Sequence, residues 1–181
     1  MVINVTAASD ISRSLVTATL HEADAIWRIA GFRFIWERNA AMTTKDSLHV
    51  VIGGGASPPT RNVPLAWIGF TESGEPSSMI YVSHANAVAY LANSRETVGL
   101  ADTMTVLQRE TYLARAMGRA LAHEIGHFLL ASPAHTAKGL MMASHTSTEF
   151  FYAERGAFGI TASERRQMAA RFTSIYLASR G

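Results

Sequence analysis

The segment from about Val106 to Ala131 constrains this chain more than any other, because it reads as one long helix with its start and end both marked. Thr105 and Gln108 match a capping box, in which the two residues satisfy each other's backbone donors at a helix start. Pro133 pushes Ser132 away from helical geometry and so closes the run. Near the end of the helix stands "HEIGHFLLASPAH", His123 to His135. Residues four apart share a helical face, so His123 and His127 can present both imidazoles to one point.

Two imidazoles on one turn form a clamp for a metal ion that favours nitrogen, and zinc is the natural candidate. A catalytic zinc keeps three protein ligands and one open position. Glu124, adjoining the first histidine, is placed to act as general base toward water at that position. The chain has no cysteine, so the third ligand must be His, Asp or Glu. Aspartate occurs at Asp10, Asp24, Asp46 and Asp102, all before the pentad. Downstream remain His135, His145, Glu149, Glu154 and Glu164. His135 has the best support, because the Ser132 and Pro133 turn leaves ample chain for it to return to the metal. His145 and Glu149 stay open as alternatives.

Apolar periodicity predicts a helix over roughly Ile11 to Ala30, with Ser9 or Asp10 as N-cap and Gly31 ending it. "FRFIW" from Phe32, "SLHVVI" from Ser47, "VPLAWIGF" from Val63 and "SMIYVS" from Ser78 read as strands. They are set off by "GGGASPP" at Gly53 to Pro59 and by a reversal at Gly74 and Pro76. After the long helix the chain loses its period, with a helical turn expected near Phe150. A last helix starts at Thr161, paired with Glu164 in a second capping box, and runs to about Ala178. This order predicts an α+β fold. A length of 181 residues suits a single domain: helix and sheet over 1–105, the long helix over 106–131, and a C-terminal part over 132–181.

The zinc-binding stretch resembles the metzincins, zinc metallopeptidases in which HExxHxxGxxH supplies three histidines and a tight turn carrying a methionine lies beneath the metal. His123, Glu124 and His127 match the pentad, and "GLMM" places Met141 after His135. The family's glycine position is Leu130 here and its third histidine position is Pro133, so His135 lies two residues further on. The resemblance implies a zincin-like fold, a mixed twisted sheet packed on helices with a central active-site helix. It also implies zinc-dependent endopeptidase activity with Glu124 as base, a Met-turn at Met141, and an extended peptide or protein substrate added to a strand beside the cleft. "SMIYVS" and "VPLAWIGF" are the candidates for that strand.

A formal charge of +2 from sixteen basic and fourteen acidic residues is weak. Only the Arg165 and Arg166 pair favours a nucleic-acid partner, so none is expected. The N-terminus lacks a basic and apolar leader pattern, and no apolar run is long enough for a membrane span. The compartment stays open, with a secreted or periplasmic protein whose leader has been removed as one reading. The competing function is a zinc-containing peptide-binding module without catalysis. Against it stands Glu124, because a structural zinc is usually closed by a fourth protein ligand and needs no base. Tyr112, Tyr152 and His145 are weaker candidates for oxyanion contacts. Trp27, Trp36 and Trp67 are expected in the core.

Overall fold

The computed structural model describes residues 1–38, 47–53 and 64–178. Five strands, β1 (Val2–Ala7), β2 (Ile35–Arg38), β3 (Leu48–Ile52), β4 (Ala66–Phe70) and β5 (Pro76–Val82), form one sheet in the order β2-β1-β3-β5-β4. β1 pairs in parallel with β2 and β3, and β3 with β5, whereas β4 runs antiparallel to β5 and is the outermost strand on that side among the described residues. Together with its helices this mixed sheet gives an α+β architecture, as the sequence predicts.

The period-2 pattern of the strands decides how the sheet is covered. Ile3, Val5, Leu48, Val50, Ile52, Ile80 and Val82 are all nearly or fully buried. Their register makes Val5, Val50 and Ile80 cross-strand neighbours on one face. Helices α1 (Arg13–Ile29) and α4 (Val106–Leu130) lie side by side, and α4 also packs against β4 and β5. One continuous apolar core joins strand and helix residues from Ile3 to Met168.

α1 and α4 approach closely at Gly118, where an added Cβ would lie 2.6 Å from the Thr19 carbonyl oxygen and 2.6 Å from Glu22 Cβ. This accounts for a glycine inside a long helix, where its propensity is poor. Across the same contact the buried Arg119 pairs with the buried Glu22, Nε to Oε1 at 2.8 Å. The N-cap of α1 is Ser12, not Ser9 or Asp10. Its hydroxyl accepts from Leu15 N–H and donates to Glu110 on α4 at 2.7 Å, so the helix start is fixed by a tertiary partner as well as a local one.

The capping boxes at Thr105 with Gln108 and at Thr161 with Glu164 are both formed. They start α4 and α6 (Ala162–Ala178) where the sequence places them. α5 (Ser147–Phe151) is the expected turn near Phe150. Among the described residues β1, α2 (His84–Asn93), the short α3 (Arg95–Val98) and two 3₁₀ turns at Ala101–Thr103 and Gly156–Phe158 are additional. The turn stretch after Gly53 and the start of "VPLAWIGF" at Val63 lie outside the described residues. Of the tryptophans only Trp27 is fully buried; Trp36 and Trp67 are half-buried, and Trp67 stacks on Tyr81 near the sheet edge.

Candidate metal centre

α4 carries His123 and His127 on one face, one turn apart, and stops a residue after Leu129 and Leu130 have continued it. Leu129 is buried and Leu130 partly so, which anchors the last turn in the core. Termination falls to Ala131, at φ 49° and ψ 44°, the left-handed conformation that glycine adopts most easily. The N–H groups of Ala131 and Ser132 then bond back to Phe128 and His127 carbonyls. The chain leaves the helix through Pro133 and brings His135 round to the other two histidines.

The three side chains offer ligand atoms that all lie within 4.8 Å of one another. Ring centroids are 4.6 Å apart for His123 and His127, 5.3 Å for His123 and His135, and 4.9 Å for His127 and His135. His127 is buried, His123 is half-buried, and His135 faces solvent. Such a trio can hold a metal ion with its exposed side open.

The hydrogen bonds around the rings favour that use. His123 Nδ1 donates to the Leu140 carbonyl at 2.7 Å, and His127 Nδ1 donates to the Ser132 carbonyl at 2.7 Å. These bonds select the tautomer with a bare Nε2 in both rings, the usual support for a metal-bound histidine. The two Nε2 atoms face each other at 2.9 Å. With both protons committed to Nδ1, neither can donate to the other, and a cation between them satisfies both lone pairs. Burial, then the neighbouring histidines, pushes His123 down to about 4 against the Leu140 bond, and burial likewise lowers His127. Both rings are therefore neutral near pH 7, as metal ligands must be. All three donors are imidazole nitrogens, a set that fits zinc.

The loop after His135 is clasped into the same structure. Thr136 N–H bonds the Met141 carbonyl at 2.8 Å, and Met142 N–H bonds the Gly139 carbonyl at 3.2 Å, closing a tight turn with Gly139 at φ 82°. Met141 is fully buried in this turn and lies against Gly126, between the two helical histidines. Leu140, its neighbour, supplies the carbonyl that holds His123.

Glu124 lines the same cavity as His123 and His135. Burial pushes its carboxyl up to about 8, partly opposed by the Ile68 backbone amide of β4. Phe70, at the end of the same strand, sets its ring edge-on to His127 at 6.2 Å. The edge strand therefore borders the site, which leaves "VPLAWIGF" as the strand beside the cleft. "SMIYVS" is corrected: β5 is paired on both sides and has no free edge.

No protein-family profile matches this chain, and no curated protein matches its sequence.

The other candidates sit apart from the trio. His145 stacks on Phe158 at 4.4 Å and lies 3.6 Å from Glu149, whose carboxylate caps α5 by bonding Thr146. Neither converges with His123 and His127. Tyr152 donates to the Thr97 carbonyl and Tyr112 packs edge-on to Phe151, both structural contacts. Sequence reasoning missed Arg119, which lines the cavity one turn before His123. Its signal was an arginine set among the buried apolar residues of α4. Among the described residues no helix is long and apolar enough to cross a membrane.

Proposed function

We propose that this protein is a zinc-dependent endopeptidase with a metzincin-like, zincin-type fold. The observation that carries the reading is Glu124: a carboxyl group beside three converging histidines, lining the cavity that His123 and His135 also line. A purely structural site needs no such group. The Met141 turn packed beneath the helical histidines, and the edge strand β4 alongside α4, support the resemblance to the family. Zinc, when bound by His123, His127 and His135, supplies Lewis acidity and a positive charge that lowers the pKa of nearby acids.

The chain's own groups do the rest. Among the described residues β4 is the sheet edge beside the site, so an extended peptide can add to it through backbone hydrogen bonds and bring a carbonyl over the histidine trio. Glu124 accepts the proton of the attacking water as the new C–O bond forms, and then passes it to the leaving amine as the C–N bond breaks. A buried carboxyl with a raised pKa is suited to holding that proton between the two steps.

Zinc content by elemental analysis together with digestion of a peptide library tests the proposal. Zinc at one ion per chain and cleavage that falls about 10²–10⁴-fold in Glu124→Ala, with metal and fold retained, is the expected result. Peptide binding without turnover in both proteins would favour the second reading, a non-catalytic peptide-binding module.

A further inference from the structure

The cavity beside the histidine trio, about 370 Å³, continues along α4 away from the ligands. It is walled by apolar groups including Leu65, Phe150 and Phe158, yet two polar side chains line it as well, Arg119 and His145. Arg119 precedes His123 by one helical turn and therefore lies on the ligand-bearing face. Ala120, also in the wall, is small enough to keep the space beside Glu124 open.

Both polar side chains are buried, and Arg119 has donor capacity to spare. Arg119 is fully buried: Nε is spent on Glu22 and Nη1 on the Glu149 carbonyl, but Nη2 has no hydrogen-bond partner among the described residues. The His145 side chain is 4% exposed, and its ring faces the Glu149 carboxylate at 3.6 Å and the Leu140 carbonyl. Buried donors are seldom left unmade, and unpaired ones in a cavity wall point to a ligand that completes them.

The charge around the cavity selects the ligand. Glu22 is shared between Arg119 and Arg155, whose Nη2 bonds Oε2 at 2.5 Å. Arg115, one turn before Arg119, donates to the Phe151 carbonyl at 2.7 Å and meets no carboxylate there. Arg119 and Arg155 thus share the single carboxylate of Glu22, with the Arg115 charge also felt at Arg119, which leaves an excess of positive charge around the buried Arg119. A ligand carboxylate meets both needs at once, because it accepts hydrogen bonds only and carries the opposite charge.

We propose that this cavity recognises a carboxylate of the substrate next to the scissile bond, with Arg119 as its donor. The proposal rests on the peptidase reading for the position of the bond, and it makes Arg119 a specificity residue. The carboxylate can come from an Asp or Glu side chain or from the end of a peptide chain.

The test is calorimetric binding of short peptides to zinc-loaded Glu124→Ala protein, paired with cleavage by the unaltered enzyme. N-acetylated, C-amidated peptides carry Glu, Gln or Leu at each position flanking the scissile bond, and a further Gln peptide has a free C-terminus. The Glu peptide should bind at least about tenfold more tightly than the Gln peptide at one flanking position. Tighter binding of only the free C-terminal peptide assigns the same pocket to a terminal carboxylate. Equal binding of all peptides, or preference for Leu over Glu, overturns the proposal. In the Glu22→Gln, Arg119→Gln double variant the charge preference should vanish while zinc binding persists. The Glu and Gln comparison needs no change at Arg119, so it decides even where that variant does not fold. Cleavage indifferent to charge would leave the peptidase reading standing and remove this one. Charge-selective binding without any cleavage would do the reverse.

Discussion

Gly126 and Met141 touch so closely that a Cβ added to Gly126 would lie 2.3 Å from Met141 Sδ. The glycine inside "HEIGH" is thus the surface on which the methionine turn rests, and the turn in turn holds His123 through the Leu140 carbonyl. Gly126→Ala should displace Met141 at a cost of about 1–3 kcal/mol, offset by about 1 kcal/mol from the better helix propensity of alanine. Thermal melts should show a lower Tm together with weaker zinc binding. The same substitution should cost less in a Met141→Ala background, and additive effects in that double-mutant cycle would remove the contact from the account.

His135 completes the trio from outside the helix, and His145 does not take part. His135→Ala should weaken zinc binding by more than the roughly 10–100-fold that outer-shell changes cost, whereas His145→Ala should leave it nearly unchanged. Competition with a chelator of known affinity measures both. A large loss in His145→Ala with little in His135→Ala would require a different third ligand.

In protein stripped of metal, two partly buried groups work against stability at opposite ends of the pH scale. Burial raises the Glu124 carboxyl to about 8, so the folded chain holds this proton more tightly than the unfolded one. Its contribution is full below the ordinary carboxyl pKa of about 4.3 and is lost as the pH rises through about 8. Burial lowers His123 to about 4, so its contribution is present above about 6.5 and is lost as the pH falls through about 4. Compared with Glu124→Gln, the unaltered chelated protein should lose Tm between about pH 5 and about pH 9. Parallel Tm curves for the two proteins would show that Glu124 is not held protonated.

Ala131 ends α4 in the left-handed region, where a Cβ costs about 1–2 kcal/mol. Ala131→Gly relieves that cost but adds freedom to the unfolded chain worth about 0.4–1 kcal/mol. The balance predicts a modest gain, read as a Tm rise of about 1–4 °C with zinc affinity unchanged. A lower Tm would mean that the cap is not under strain.

What the sequence by itself determined is whatever depends on neighbours along the chain. The capping boxes of α4 and α6, the helical spacing of His123 and His127, and the breaking of the helix before Pro133 all rest on interactions a few residues long. Four strands were legible for the same reason, as short β-branched and aromatic runs bounded by turns. β1 was not read as a strand, although "VINVTA" is as β-branched as the others; its place comes from pairing with β2 and β3, which lie far along the chain.

Only the tertiary structure decided the rest. It made β4 the edge and β5 an interior strand, since the order of strands in a sheet is set by packing and not by their own residues. It moved the start of α1 to Ser12 through a bond to Glu110, and it carried His135 to the trio through the left-handed Ala131 and the bond between Thr136 and Met141. Arg119 gains its place in the cavity wall from Glu22, 97 residues away. Such contacts form when the chain closes long loops to bury one shared core, and no local pattern encodes which distant partner will be there.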